Sequence, residues 1–309
     1  MAILTLGCEH INIISGPVLG RAMEMTPECI PCLLGRVLFE AELCAPHRAA
    51  EAMRDGLAIL QENYVPGANS AEVATKVHRR VYDVLGCEDP YADLKKRSDI
   101  VAASLLDRAR AFIERSDDRL EAAVLVAIAG NVMDFGIPGH DGPEQLRNDL
   151  DSILEQGLNV NDVGRLRQML GPGRKAVYLT DNCGESVLDR LLVEELRRTG
   201  AMVVGIVKGA PVLTDVTREE SSRAGLDQAF DQMLDTGMFA VGIDVKRMDD
   251  RLRSVMDGAD VIISKGMANY ESLSDAGIGP IIYLMRAKCR PVAEAIGARK
   301  GDNVAKMFA

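Results

Sequence analysis

The chain has 309 residues, 47% of them hydrophobic, enough for one large core or two ordinary ones, which excludes a disordered protein. A net charge of −10 and a pI of about 5.0 exclude a general nucleic-acid binder, whose affinity comes from clustered Lys and Arg. Aromatics at 4% without Trp disfavour a base-stacking platform, and an odd seven cysteines in so long a chain do not read as a secreted disulfide framework.

The first 22 residues are mildly apolar but lack a basic n-region and carry Glu9 and His10, so they do not read as a signal peptide. Met23-Glu24-Met25 directly precedes the first strong motif, so residues 1–22 read as a poorly ordered N-terminal extension. No apolar run reaches transmembrane length. The expected location is the cytoplasm, with no membrane and no nucleic-acid partner. Oligomeric state is not legible.

Helical periodicity dominates residues 26–150. Thr26-Pro27-Glu28 reads as a helix start, with Thr as the cap and Pro at the first helical position. Leu33, Leu34, Val37, Leu38 and Ala41 trace an apolar face until Ala45-Pro46 breaks it. Further helices are predicted over 47–63, 70–85, 91–115, 118–133 and 143–154, punctuated at Pro66-Gly67 and at residues 86–90. Cys29 and Cys32 form a CxxC in the first turn of the first helix. Such a pair is either a partial metal site or redox pair, or two buried thiols on a helix. The four histidines (10, 47, 78, 140) lack ligand spacing and read as surface or structural residues. Near the end of the apolar helix after Ala122, Asn131 and Asp134 share one face and read either as a cap pair or as the wall of a site.

After Gly171-Pro172-Gly173 strand and helix alternate. Strands are predicted over 175–180, 202–207, 239–244, 260–264 and 280–285, with helices near 186–199, 217–224, 247–257, 270–275 and 291–297. The class is therefore α/β: a helical part over 23–165, then a Rossmann-like, mainly parallel sheet over 166–309. Each predicted strand but the one over 239–244 ends in chemistry-bearing residues. Asp181-Asn182 with Glu185 follow the first, and Lys208 and then Asp215 the second. Lys265 with Asn269 and Glu271 comes next, and Lys288 follows the last. Asp and Asn are also common helix caps. Their recurrence along one carboxyl edge, where open α/β sheets bind ligands, favours a site. Two carboxylates and an amide suit a divalent cation, and nearby lysines suit an anion, which is the equipment for phosphoryl transfer.

DNCGE at 181–185, the Lys208 to Asp215 segment and KGMANYE at 265–271 resemble the DUF89 family of metal-dependent damage-control phosphatases. ECIPCLLGR at 28–36, GNVMDFG at 130–136 and AKCRPVAEAIG at 287–297 resemble its archaeal and bacterial, CxxC-containing branch. The resemblance runs from Met25 to the C-terminus. It implies a divalent metal (Mg, Mn, Co or Ni) on Asp181, Asn182 and Asp215, with phosphate near Lys265. It also implies hydrolysis of small phosphomonoesters, such as sugar phosphates or damaged metabolites.

On this reading Lys265 neutralises the transferring phosphoryl group, and Glu185 and Glu271 orient the attacking water; alternatively, Asp181 itself attacks. Asn131, Asp134, Lys208, Asn269 and Lys288 line the substrate side. Two rivals remain open. One is a Rossmann-like methyltransferase, although DNCG lacks a GxGxG turn. The other is a non-catalytic metal-binding protein working through Cys29 and Cys32.

Overall fold

The computed structural model describes residues 23–132 and 144–309. The predicted extension over 1–22 and the predicted site residue Asp134 lie outside the described residues. Helix α1 spans Cys29–Cys44, α2 Ala49–Asn63 and α3 Ser70–Leu85. Asn69 caps α3 by accepting the Ala71 and Glu72 N–H groups, and Gly86 ends it in a left-handed turn (φ 65°). These three helices bury Val37, Ala41, Ala52, Leu60, Val77 and Val81 in a core of their own.

The next helices are α4 (Ala92–Ala103), α5 (Leu106–Arg115), α6 (Arg119–Gly130) and α7 (Glu144–Gln156). The single helix expected over 91–115 is thus two. The Ser104 hydroxyl turns back 2.6 Å onto the Val101 carbonyl, competing with the helical ladder, and the chain restarts at Leu106. Strand β1 (Val160–Asn161) and α8 (Val163–Gln168) complete the first half.

The second half alternates: β2 Lys175–Leu179, α9 Glu185–Arg198, β3 Met202–Val207, α10 Arg218–Arg223 and β4 Gln232–Asp235. Then come α11 Asp250–Asp257, β5 Val261–Lys265, α12 Gly266–Leu273, β6 Ile281–Arg286, α13 Arg290–Ile296 and β7 Asn303–Phe308. The described strands form one sheet in the order β1-β7-β6-β5-β2-β3-β4, parallel except where β7 runs against β6. Side chains alternate across it. Tyr178, Ile263 and Leu284 face a core shared with α6 and α9, while Val177, Leu179, Ile262 and Tyr283 face α11, α12 and α13.

The strand expected over 239–244 is not there; the edge strand is Gln232–Asp235. The apolar residues of 239–244 serve several partners instead of one ladder. Phe239 stacks edge-on against Tyr82 of α3, Val241 joins the helical core, and Ile243 joins the core beneath the sheet. Strand β7 also has no counterpart among the predicted strands. Its sequence, NVAKMF, is short and carries a lysine in mid-run.

Candidate active site at the switch point of the sheet

The strand order reverses between β2 and β5: the chain leaves β2 toward β3 and β4, and β5 toward β6. The crevice opened by such a reversal is where doubly wound sheets bind ligands. Asp181 and Asn182 stand past the end of β2, on one side of it. Gly266 follows β5 on the other, so close that a Cβ there would overlap the Asp181 carboxylate.

The backbone fixes Asp215 beside them. The Val216 N–H donates to the Asp181 carbonyl (2.9 Å) and the Cys183 N–H to the Thr214 carbonyl (2.8 Å), which pairs Asn182 with Asp215 in a short antiparallel bridge. Gly184, at φ 77°, then turns the chain into α9, and its N–H is taken by Asp99 (2.7 Å). Asp181, Asn182 and Asp215 are each at most 5% exposed.

An amide network holds Asp181. Asn131 Nδ2 donates to Asp181 Oδ2 (3.0 Å) and Glu185 Oε2 (2.8 Å). Asn182 Nδ2 donates to the same two oxygens (2.6 and 3.2 Å), while its Oδ1 accepts the Thr214 hydroxyl (2.5 Å). Behind Glu185 lies Lys265, fully buried. Its ammonium is spent on Glu185, on Asp189 (2.6 Å) and on the Ala127 carbonyl (3.0 Å). Burial opposes the charge on Lys265, but Asp189 and Glu185 outweigh it and hold the group above the ordinary lysine range. Burial pushes Asp189 up to about 7.

A cavity of about 170 Å³ opens between this edge and the helical half. Of the predicted site residues, Asp181, Asn182, Asp215, Glu271, Cys29 and Cys32 line it. Glu271 is held there by the Ser70 hydroxyl (2.8 Å), and its carbonyl by Asn69 (2.8 Å), so the start of α3 is docked on α12.

Of the other predicted residues, the described ones (Asn131, Glu185, Lys208, Lys265, Asn269 and Lys288) do not line the cavity. Lys265 does not face the cavity as a phosphate ligand would; three acceptors within the fold take its donors. Lys208 donates to the Gly242 carbonyl and lies 3.3 Å from Asp215. Asn269 bridges the carbonyls of Thr180 (3.0 Å) and Lys265 (2.8 Å). Lys288 donates to the Asn131 carbonyl (2.6 Å).

Sequence reading missed Arg36, Ser70 and His78, which also line the cavity. A signal existed: Arg36 and Glu40 fall on the buried stripe Leu33, Val37, Ala41 of α1, and His78 lies beside Val77 and Val81 on that of α3. His78 is a core histidine, fully buried. Cys289 joins Cys29 and Cys32 on the cavity wall, and burial pushes its thiol up to about 12, away from the thiolate that binds metals. Among the described residues no three His, Cys, Asp or Glu side chains gather as a metal site. No helix among them is long and apolar enough to cross a membrane.

A mostly parallel sheet whose reversed strand order brings two carboxylates and an amide to the wall of one cavity defines an α/β protein with a candidate active site at its switch point. Residues 25–304 match the damage-control phosphatase ARMT1-like domain. A damage-control phosphatase of Archaeoglobus fulgidus is 42% identical over 288 residues, 92% of this chain and 99% of that one. A second, from Pyrococcus horikoshii, is 30% identical over 91% of this chain and 97% of its own. The crystal structure of a DUF89 family protein from Pyrococcus horikoshii superposes with a TM-score of 0.83 at 29% identity, covering 93% of this chain and all of that one. The chain belongs to the ARMT1-like family of damage-control phosphatases, and its enzyme class is phosphatase. Neither the methyltransferase nor the cysteine-centred alternative draws support from these relatives.

Proposed function

We propose that the chain is a divalent-metal-dependent phosphatase of small phosphomonoesters, sugar phosphates or damaged phosphometabolites, working in the cytoplasm. The observation that carries this is the convergence of Asp181, Asn182 and Asp215 on one cavity at the switch point of the sheet. Two carboxylates and an amide carbonyl, nearly buried and free of sulfur, fit a divalent cation that takes oxygen donors, from Mg and Mn to the borderline Co or Ni. These three residues would hold it. When bound, the cation supplies charge neutralisation for the phosphoryl group.

The rest is done by the chain itself. Asn131 and Asn182 fix Asp181 Oδ2 with two N–H groups, so its carboxylate is already oriented when substrate arrives. Glu185 anchors those amides from below, and Lys265 anchors Glu185; both are positioning residues. Lys208 balances the Asp215 charge from behind. Glu271, held by Ser70, orients the attacking water from the cavity wall.

The test is turnover of sugar phosphates and p-nitrophenyl phosphate after chelation and again with each divalent metal, with wild type beside Asp181→Ala. Metal should restore activity, and the variant should lose about a hundredfold or more while keeping its far-UV spectrum. A folded Asp181→Ala protein with full activity would refute the assignment. Metal-free binding of S-adenosylmethionine without turnover would favour the methyltransferase instead.

A further inference from the structure

A phosphate that enters the cavity meets a wall rich in negative charge, where Glu28, Asp181, Asp215 and Glu271 all stand. Lys208, Lys265 and Lys288 do not line it, and each donates to a carbonyl of the fold. Among the described residues the one lysine or arginine on the wall is Arg36 of α1, only 8% exposed. Helix geometry turns it that way. Cys29, Cys32, Leu33 and Arg36 fall at i, i+3, i+4 and i+7 on one face of α1, and all four line the cavity. A long helical side chain leans back over the preceding turn, here that of Cys32 and Leu33, so the guanidinium lies along the cavity wall. One turn further on, Glu40 fixes the same face inward by meeting His78 of α3 at 2.8 Å. A guanidinium carries its donors in a planar fork and keeps its proton, so it can serve the fold and a ligand together.

We propose that Arg36 is a further catalytic residue: its guanidinium donates to non-bridging oxygens of the phosphoryl group, from the helical wall opposite Asp181 and Asp215. The proposal rests on the functional reading above and adds the group of this chain that recognises the anion. In the transfer, the water oxygen bonds phosphorus as the ester P–O bond breaks. One water proton leaves on the alcohol and the other stays on the released phosphate. Arg36 keeps its own proton and holds the non-bridging oxygens throughout, where negative charge is greatest. The fork matches two phosphate oxygens at once, which a lysine at the same place would meet only as a point charge.

The experiment measures kcat and KM for p-nitrophenyl phosphate and a hexose phosphate, the inhibition constant of inorganic phosphate, and the affinity for Mn, in wild type, Arg36→Gln and Arg36→Lys. In Arg36→Gln, kcat/KM should fall about a hundredfold for both esters alike, since the phosphoryl group is what they share, and phosphate should inhibit about tenfold less tightly. Arg36→Lys, which keeps the charge and loses the fork, should fall by about tenfold. Affinity for Mn should hold or tighten, because a cation has been removed, whereas damage to the Asp181 site would weaken it. A phosphate inhibition constant unchanged within about twofold in folded Arg36→Gln overturns the proposal, and so does a loss of activity matched by a loss of Mn affinity. If Arg36→Gln does not fold, Arg36→Lys decides by the same two readouts. If wild type turns over no phosphoester with any metal, the functional reading has failed by itself. Calorimetry with inorganic phosphate then decides: binding about tenfold weaker in the folded variant upholds Arg36 as the anion site, and unchanged affinity, or no binding by wild type, overturns it.

Discussion

Asp181 shows how a site residue is placed by neighbours that never meet substrate. Its Oδ2 takes N–H groups from Asn131 and Asn182, which in turn answer to Glu185 and, through it, to Lys265. The glycine after β5 completes the enclosure. Gly266 has φ 74°, a conformation costing an L-residue about 1–2 kcal/mol, and a Cβ there would occupy the space of the Asp181 carboxylate. Gly266→Ala should therefore lower kcat/KM at least tenfold and lower the denaturation midpoint, the carboxylate being flexible enough to move aside but not to keep its bonds. Steady-state kinetics beside a urea titration check this, and wild-type turnover in the variant would show that Asp181 does not need its present position. At this scale the acidic residues were legible because they punctuate strand ends. The partners of Lys265 were not legible: sequence can place a lysine at a strand end, but cannot show that Glu185 and Asp189, one turn apart on α9, pair with it.

The elements were legible where one partner decides the pattern and illegible where several do. β2, β3, β5 and β6, buried on both faces, read as continuous apolar runs at the expected places. The segment 239–244 is similarly apolar but divides its side chains between two cores, so it is no strand, and the true edge strand, QMLD, is too polar and short to announce itself. Helix α6 is the opposite case: nearly every residue in it is buried, and its start is set by one local contact. Asp118 Oδ1 accepts the Glu121 N–H (3.0 Å), and Arg167 pairs with the same side chain. Partial burial pushes the Asp118 carboxyl up, but the Glu121 N–H and Arg167 outweigh it and hold it below its ordinary range. A carboxyl lowered in the folded state stabilises above its unfolded pKa and ceases to do so as pH falls through the folded one. Asp118→Ala should cost about 1 kcal/mol near neutral pH, a Tm drop of about 2–3 °C, and the gap from wild type should close in acid. Melts of both proteins across pH test it; a gap that persists below the carboxylate range would mean that the loss comes from packing and not from the cap.

At the scale of the molecule, the helical half builds the site along with the sheet. α1 and α3 supply the wall opposite Asp181, and α3 reaches across to hold the backbone that carries Asp215. The contact is specific. Leu213 is the described non-glycine residue with positive φ (48°), a conformation that needs outside support, and its buried N–H donates to the Tyr82 hydroxyl at 3.0 Å. Two residues later comes Asp215. Removing the hydroxyl orphans a buried N–H while leaving the Tyr82–Phe239 ring contact in place, so Tyr82→Phe should cost about 1–2 kcal/mol and release the strained turn. The larger effect is expected on chemistry: kcat should fall several-fold, about 3- to 10-fold, because Asp215 loses its fixed position although no residue of the sheet has changed. Faster amide exchange confined to 213–216, measured beside kcat and a urea midpoint, would identify the turn as the route. A variant that loses stability but keeps kcat within twofold would show that the bridge between Asn182 and Asp215 suffices, and that the helices only close the cavity.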